Sequence, residues 1–257
     1  MSSAGHHILI TGASSGIGAA LARHYAAPGA RLALGGRDAT RLAEVARACR
    51  DRGAAVAEET IDVTDRQATR RWVEDADDRA ALDLVIANAG IGESGRERED
   101  AARRVFAVNL DGVLNTCWPA IDRMSARGAG QLAIMSSLAG YRGIADAPSY
   151  SASKAAVKVL GEAWRGALAP LGIRVSVICP GFVSTPMTAG NDFHMPFLMA
   201  PERAAGIVAR GLKADRPRIS FPLPMTLAVW FVAALPQRIG DRLLTPRSRR
   251  SAVQTAR

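Results

Sequence analysis

The sequence predicts an α/β fold built on a parallel sheet. Six short apolar, strand-like runs occur along the chain, with helical stretches between them. Strands that alternate with helices in this way form βαβ units. At 257 residues and 48% hydrophobic content, the chain can bury one full core, and no linker rich in proline, glycine or serine divides it. We therefore expect residues 1–257 to form a single domain.

The individual elements are predicted from the same patterns. Strands are expected over residues 6–10, 31–34, 54–61, 82–87, 131–135 and 173–178. Helices are expected over residues 16–27, 39–52, 65–79, 101–127, 149–171 and 201–214. A small residue begins the first of these helices and a proline begins the last, as is usual at helix starts.

A glycine-rich segment, TGASSGIG over residues 11–18, joins the first predicted strand to the first predicted helix. Gly12, Gly16 and Gly18 permit backbone angles and close approaches that a Cβ would block. The unpaired amides at the start of the helix attract a pyrophosphate. The spacing is GxxxGxG, whereas the commonest dinucleotide fingerprint is GxGxxG. An ordinary glycine turn is the alternative interpretation.

Tyr150 and Lys154 lie four residues apart in a predicted helix and therefore share one of its faces. A phenol has a reference pKa of roughly 10, which is too high for ready proton exchange near neutrality, but a nearby cation favours the phenolate. The pair is thus a candidate proton-transfer device. Because the same spacing also arises by chance on helix surfaces, it needs support from other motifs.

That support comes from motifs in chain order that resemble the short-chain dehydrogenase/reductase family over about residues 8–212. Besides the glycine segment and the Tyr-Lys pair, they are Asp62-Val63, Asn88-Ala89-Gly90, Asn109, Ser137, and Pro180-Gly181 with Thr185. The resemblance implies a doubly wound, Rossmann-like parallel sheet in three α/β/α layers, with ligands bound outside the carboxyl ends of the strands. It also implies an NAD(P)-dependent oxidoreductase that interconverts a carbonyl and a secondary alcohol.

The resemblance assigns catalytic roles to four residues. Tyr150 is the general acid in reduction and the general base in oxidation, while hydride moves to or from nicotinamide C4. Lys154 lowers the tyrosine pKa and holds the nicotinamide ribose. Ser137 binds the substrate oxygen, and Asn109 fixes a water or serves structure. Ser136 is the alternative serine, but neighbours on a strand point to opposite faces, and the family's serine lies 13 residues before the tyrosine.

The resemblance also implies a set of cofactor contacts. Five residues of the glycine segment are expected around the pyrophosphate: Gly12, Ser14, Gly16, Ile17 and Gly18. Asp62 and Val63 are expected at the adenine, and Asn88 and Gly90 on the adenosine ribose side. Pro180 and Gly181 are expected at the nicotinamide floor, and Thr185 at the carboxamide. The set is completed by Ser15, Ala89 and Val183, with Tyr150 and Lys154. No metal site is expected, because the cysteines and histidines lack ligand spacing.

The end of the second predicted strand bears on the choice of nicotinamide cofactor. NAD enzymes place an acid there to bind both ribose hydroxyls, whereas a guanidinium suits a 2′-phosphate. Gly36 stands where the acid would be expected and Arg37 follows it, so NADP(H) is favoured over NAD(H). If the strand ends one residue later, Asp38 could bind the ribose of NAD, so NAD stays an alternative. Ser15 stands where many NADP enzymes of the family have a second basic residue. An N-cap role for Asp38 is compatible with NADP.

Residues 186–200 correspond to the family's substrate loop and are rich in Met and Phe. Such side chains build adaptable apolar pockets, which favours a hydrophobic carbonyl or alcohol over a sugar. The alternative is a loop that merely packs on the core. A catalytically inactive nucleotide-binding regulator is disfavoured by the intact catalytic set, and a nucleotide-sugar epimerase by the lack of a larger carboxyl-terminal domain.

The carboxyl-terminal extension, residues 219–257, joins an apolar segment to a basic one. Residues 219–236 carry no charge, whereas residues 237–257 contain six arginines and one aspartate, a net +5 of the total +9. Prolines limit the unbroken apolar stretch to residues 225–235, too short to span a bilayer. We expect a last strand near 219–221 and a helix over about 225–235 that closes the substrate pocket or a subunit contact. A helix lying on a bilayer surface is the alternative.

Partners and location follow from the same observations. No nucleic-acid motif accompanies the basic tail, so nucleic-acid binding is not expected. The amino terminus does not resemble a secretion signal, and the scattered cysteines suit a reducing compartment, which favours a cytoplasmic location with membrane-surface association as the alternative. The family resemblance implies a homodimer or homotetramer built on the Tyr150 helix and the helix before it.

Overall fold

A computed structural model describes residues 5–92, 97–191 and 193–244. Its strands are β1 (His7–Thr11), β2 (Arg31–Gly36), β3 (Ala55–Thr60), β4 (Leu84–Ala87), β5 (Gly130–Met135), β6 (Ile173–Pro180) and β7 (Arg218–Phe221). Its α-helices are α1 (Gly16–Tyr25), α2 (Ala39–Arg50), α3 (Arg66–Arg79), α4 (Glu99–Phe106), α5 (Gly112–Arg127), α6 (Pro148–Leu168), α7 (Pro186–Ala189), α8 (Pro201–Lys213), α9 (Leu223–Ala234) and α10 (Gln237–Leu244).

The strands form one parallel sheet in the order β3-β2-β1-β4-β5-β6-β7. The chain winds outward from β1 to β3, then crosses to β4 and winds outward in the other direction. The predicted doubly wound sheet is therefore confirmed. β1 pairs with both β2 and β4, which makes the junction of β1 and β4 the switch point, and ligands bind at such a point, outside the carboxyl ends of the strands.

The central strands are buried on both faces, as their continuous apolar sequences predict. Along β1, Ile8 and Ile10 pack into the core under α1, α2 and α8, whereas Leu9 packs into the core under α3, α5 and α6. Each such side chain, when fully buried, contributes roughly 1.5–3 kcal/mol to folding. Because its side chains are buried on both faces of the sheet, β1 holds its carboxyl end, where the candidate site begins, in a fixed position.

The helix predicted over residues 101–127 is not continuous, which corrects the expectation from sequence. It consists of α4, a π-helical turn over Ala107–Asp111, and α5. The apolar spacing cannot show such a turn, because the turn depends on contacts of Asn109 with distant residues. π-Helical turns of this kind are frequent at functional sites.

At the carboxyl terminus, β7 and α9 lie where a strand and a helix were predicted, with α9 beginning two residues earlier than expected. The short helices α7 and α10 were not predicted. Among the described residues, no helix combines the length and the apolar character needed to cross a membrane. The basic tail beyond residue 244, with Arg247, Arg249, Arg250 and Arg257, and Asp192 of the substrate loop lie outside the described residues.

Candidate active site

The glycine segment packs directly against the chain that follows β4. Gly12 and Gly16 have left-handed φ angles of 67° and 55°, which glycine adopts without steric cost. A Cβ at Gly18 would lie 2.2 Å from the Gly12 carbonyl oxygen, and one at Gly12 would lie 2.9 Å from the Ala89 Cα. The three glycines are therefore required by close packing as well as by any phosphate they would bind.

Hydrogen bonds of Asn88 and Thr11 hold the glycine segment against the chain that follows β4. The Asn88 Nδ2 atom donates to the carbonyl oxygens of Thr11 at 2.9 Å and of Gly12 at 3.3 Å. In return, the Thr11 Oγ1 atom accepts from the backbone amides of Asn88 and Ala89, both at 3.0 Å. The Asn88 amide nitrogen thus holds the glycine segment, while the predicted ribose contact stays a prediction. Thr11 was not among the predicted site residues, although it opens the motif.

Lys154 is buried, with 3% of its surface exposed. Its Nζ atom donates to the Met135 carbonyl oxygen at 2.9 Å. A Cβ at Gly90 would lie 3.2 Å from the Lys154 Nζ atom and 3.2 Å from the Asn109 Oδ1 atom, so this glycine leaves room for both. Burial lowers the pKa of Lys154 to about 8, because the charged ammonium is poorly solvated there.

Tyr150 lies in the first turn of α6, with its ring centroid 5.8 Å from the Lys154 Nζ atom. Burial raises the pKa of Tyr150, and a side-chain hydrogen bond with Ser137 opposes that rise to a smaller extent. The predicted lowering by Lys154 does not emerge from this geometry. The reason is that Lys154 lies over the ring and donates to a backbone carbonyl.

Ser136 and Ser137 point in different directions, as strand alternation predicts. Ser136 is buried and donates from its Oγ atom to the Lys154 carbonyl oxygen at 2.7 Å, which ties β5 to α6. Ser137 begins the 3-10 turn after β5 and accepts from the Ala139 amide at 3.1 Å. It is the serine whose side chain meets Tyr150. Of the two serines, Ser137 is thus the one beside Tyr150, and its contact with a substrate stays a prediction.

Asn109 lies in the π-helical turn and is fully buried. Its Oδ1 atom accepts from the Ile91 amide at 2.8 Å, and its Nδ2 atom donates to the Ile91 carbonyl at 2.9 Å and to the Ser153 Oγ atom at 3.0 Å. Both ends of the amide are thus engaged in holding the loop after β4 to α6. This is the structural role that the sequence left open, and the water-fixing role stays a prediction.

The end of β2 lies beside the glycine segment, and the strand ends at Gly36. A Cβ at Gly36 would lie 3.1 Å from the Ser14 Oγ atom, so this position is crowded. Asp38 caps α2: its Oδ1 atom accepts from the Arg41 amide at 2.9 Å and its Oδ2 atom from the Arg41 Nε atom at 2.7 Å. The backbone hydrogen bond from Arg41 holds the pKa of Asp38 below its usual value. Arg37 is exposed.

The predicted adenine contacts lie after β3. The Asp62 Oδ1 atom accepts from the Thr64 amide at 2.9 Å and from the Thr64 hydroxyl at 2.8 Å. Val63 is buried, and its carbonyl accepts from the Asn115 Nδ2 atom at 2.9 Å. Because α5 supplies Asn115, the position of this loop depends on a helix that follows β4. Whether Asp62 and Val63 contact adenine stays a prediction.

The segment after β6 closes the site from the opposite side. A Cβ at Gly16 would lie 3.0 Å from the Thr185 Cγ2 atom, so Thr185 contacts the glycine segment. Val183 pairs with Met199 in a short parallel bridge that joins the two ends of the substrate loop. A Cβ at Gly92 would lie 3.5 Å from both the Met187 Sδ atom and the Tyr150 ring. The loop thus reaches the space in front of Tyr150.

The carboxyl-terminal helix also reaches the site, through a residue that sequence reasoning missed. The Gly181 amide donates to the Phe221 carbonyl at 2.7 Å, and a Cβ at Gly181 would lie 2.8 Å from the Met225 Sδ atom. Met225 of α9 therefore packs on the segment predicted to form the nicotinamide floor. No short motif marks Met225, because the contact joins distant parts of the chain.

Comparisons with known proteins agree with this geometry. The chain matches the family described as short chain dehydrogenase over residues 6–194. It is 40% identical over 212 residues to cis-4-hydroxycyclohexanecarboxylate dehydrogenase of Sinomonas cyclohexanicum, covering 79% of this chain and 83% of that protein.

Two solved structures share the fold. A short-chain dehydrogenase from Sphingobium yanoikuyae in complex with NADPH has a TM-score of 0.79 at 26% identity, covering 90% of this chain and 97% of that chain. A short chain dehydrogenase from Mycobacterium paratuberculosis bound to NAD has a TM-score of 0.80 at 25% identity, covering 88% of this chain and 100% of that chain. With its fold, its motifs and these matches together, the chain belongs to the short-chain dehydrogenase/reductase family of nicotinamide-dependent oxidoreductases.

Proposed function

We propose that the protein interconverts a hydrophobic carbonyl compound and its secondary alcohol with NADP(H), and that Tyr150 transfers the proton. One observation carries the proposal: the side chains of Ser137, Tyr150 and Lys154 converge beyond the carboxyl ends of β5 and β6, next to the glycine segment. Burial of Lys154 and its hydrogen bond to the Met135 carbonyl hold the ammonium over the tyrosine ring. Ser137 is the neighbour that orients the phenol.

In this mechanism, the protein handles the proton and the substrate oxygen. The bound cofactor supplies or accepts the hydride. In reduction, the Tyr150 hydroxyl donates its proton to the substrate oxygen while Ser137 donates a hydrogen bond to the same oxygen. Tyr150 keeps its proton at neutral pH, because burial raises its pKa, so it is poised as an acid. Lys154, with a pKa of about 8, exchanges protons readily near neutral pH.

A paired substitution tests the serine assignment. Ser137→Ala should lower turnover by about tenfold or more, because it removes a donor to the developing oxyanion. Ser136→Ala is the matched control, since the Ser136 Oγ atom donates to the Lys154 carbonyl of α6. Turnover of both variants with NADPH over a panel of carbonyl compounds would be measured. Greater loss in Ser136→Ala than in Ser137→Ala would contradict the assignment.

The preference for NADP(H) rests on the end of β2. The Asp38 carboxylate already caps α2 and pairs with Arg41, so it is not directed to a ribose. Gly36 has no carboxylate to bind the ribose hydroxyls. Arg37 is exposed beside the glycine segment, where its guanidinium can bind a 2′-phosphate. The two related structures contain NADPH in one case and NAD in the other, so they do not distinguish between the two cofactors.

Removal of Arg37 tests the cofactor preference. Arg37→Ala should raise the Kd for NADPH by about tenfold or more, the range for a hydrogen bond to a charged group, and leave the Kd for NADH nearly unchanged. Arg31→Ala is a matched control, because Arg31 is exposed at the opposite end of the same strand. Calorimetric titration of both cofactors would measure the effect. Equal losses for NADPH and NADH would show that Arg37 only supports the fold.

The hydrophobic substrate is inferred from the substrate loop. Met187, Phe193, Phe197 and Leu198 are exposed on it, and Phe193 stacks edge-on against Phe182 with ring centroids 5.8 Å apart. Apolar, adaptable side chains of this kind suit an apolar substrate. One relative is named for the substrate cis-4-hydroxycyclohexanecarboxylate, which is a cyclic secondary alcohol. A cyclic secondary alcohol is therefore compatible with the proposal. A screen of carbonyl compounds with NADPH and NADH in parallel would identify the substrate class.

Assembly and location complete the proposal. We infer a homodimer or homotetramer through α5 and α6, which expose Trp118 and Val159 by 48% and 58%. A cytoplasmic location is proposed with it. Light scattering at micromolar concentration would give the assembly state, and a monomer would contradict this inference.

A further inference from the structure

Helix α9 presents a stripe of large apolar side chains to the surface. Leu223, Leu227, Trp230 and Phe231 follow helical spacing, so they share one face. Their exposed fractions are 66%, 56%, 49% and 66%. The opposite face packs on the protein through Met225 and Val229. At the edge of the stripe, the Trp230 ring lies beside the Tyr141 ring, with centroids 6.5 Å apart, and about half of its surface stays exposed. A contiguous exposed patch of this kind marks an interaction surface.

The protein holds α9 so that the stripe stays outward. The Arg142 guanidinium donates to the carbonyl oxygens of Val232 at 2.8 Å, Leu235 at 3.1 Å and Gln237 at 3.1 Å. A cation at this position is favourable, because the carbonyl end of a helix carries partial negative charge. At the other end, Met225 packs against Gly181. The helix is therefore fixed at both ends.

Charge decides which partner fits the stripe. Residues 219–236 carry no charge, and residues 237–257 follow with six arginines against one acid. Arg238, in the first turn of α10, is exposed. A second copy of the chain carries a net charge of +9 and so offers these arginines no net negative surface. An anionic lipid surface instead offers both an apolar layer for the stripe and negative headgroups for the arginines.

We propose that α9 docks the protein on an anionic membrane surface, with the stripe in the boundary between headgroups and acyl chains and the basic segment on the headgroups. The helix has 12 residues, so it lies along the surface and does not cross the bilayer. Because Met225 contacts Gly181, the candidate active site lies beside the docked helix. An apolar substrate could then pass to the site from the lipid phase.

Vesicle sedimentation with the full chain tests the proposal. The protein should bind vesicles of phosphatidylcholine with phosphatidylglycerol, and bind vesicles of phosphatidylcholine alone far more weakly. The double variant L227Q/F231Q should bind the anionic vesicles with an affinity that is lower by a factor of about ten or more. Leu171→Gln is the matched control, because Leu171 is an exposed leucine in the turn that precedes β6 and lies outside both α9 and the proposed subunit contact, and it should bind like the parent. Circular dichroism would confirm that each variant is folded.

A second measurement places the contact at α9. Trp72 and Trp164 are buried, whereas Trp118 and Trp230 are about half exposed. In a Trp118→Phe variant, brominated lipids should therefore quench the fluorescence of Trp230 on vesicle binding. Absence of binding to anionic vesicles, equal binding by L227Q/F231Q, or binding without quenching would each overturn the proposal. A parent dimer that dissociates in L227Q/F231Q, without vesicle binding, would show that a second copy covers the stripe.

Discussion

Tyr150→Phe should lower turnover by a factor of about 100 or more, the range that general acid catalysis contributes. The substitution removes one oxygen atom from a side chain in the first turn of α6. Without the hydroxyl, the substrate oxygen has no positioned proton donor, because Ser137 can only hydrogen-bond it. Cofactor affinity should change little, since the ring that packs beside Lys154 is retained. Steady-state turnover and cofactor titration of the same preparation would separate the two effects.

Tyr141→Phe is the matched control for this experiment. Tyr141 lies at the end of the 3-10 turn that follows Ser137, and its hydroxyl forms a 3.0 Å hydrogen bond with the Ser220 Oγ atom, away from Tyr150. Its loss should leave most of the activity. If Tyr150→Phe retained its turnover, the assignment of proton transfer to Tyr150 would be wrong, whatever the activity of Tyr141→Phe.

The second large effect concerns stability, because the burial of Lys154 opposes folding. A pKa lowered from 10.5 to about 8 corresponds to a cost of about 3 kcal/mol at neutral pH. Lys154→Met keeps the apolar stem without the charge. The Met135 carbonyl would lose its donor, at a cost of about 1 kcal/mol. We therefore expect the free energy of unfolding to rise by roughly 1–3 kcal/mol at pH 7 while activity is lost.

The sign of the pH dependence distinguishes this explanation from better packing. Between about pH 8 and pH 10.5 the unfolded chain binds more protons at Lys154 than the folded chain does, so the stability of the parent rises with pH in that window. The advantage of Lys154→Met should therefore be complete below pH 8 and shrink toward pH 10. Lys158→Met is the control, because Lys158 pairs with Glu162 one turn further along α6. An advantage that is the same at pH 7 and pH 9.5, by urea unfolding, would refute the explanation.

The sequence predicted the parallel sheet and the Tyr-Lys pair because both depend on local spacing. The N-cap role of Asp38, which the sequence offered as an alternative to binding a ribose, is present in the structure, and a cap of this kind uses residues within one turn. The π-helical turn at Asn109 and the hold of Asn88 on Gly12 could not be predicted, because each depends on contacts between residues far apart in the chain. The raised pKa of Tyr150 was missed for the same reason: spacing places a lysine nearby but does not measure burial.

The exposed stripe of α9 could not be predicted from the composition of this segment. An uncharged segment predicts burial, and one face of α9 is indeed packed, through Met225 and Val229. The other face exposes Leu223, Leu227 and Phe231, and β7, on which α9 packs, is the last strand of the sheet. Composition alone cannot separate a helix buried on both faces from one that is buried on one.

The stem of the substrate loop has a consequence for protein engineering. Besides the Val183–Met199 bridge, the Met199 amide donates to the Phe182 carbonyl at 3.2 Å, and the Ser184 amide donates to the Met199 carbonyl at 2.9 Å. These are main-chain hydrogen bonds, which do not depend on which side chains the loop carries. Lengthening a loop between fixed ends costs little free energy. We therefore expect that loops from other dehydrogenases can be grafted between Ser184 and Met199 without loss of this stem, as a way to test whether the loop sets the substrate range.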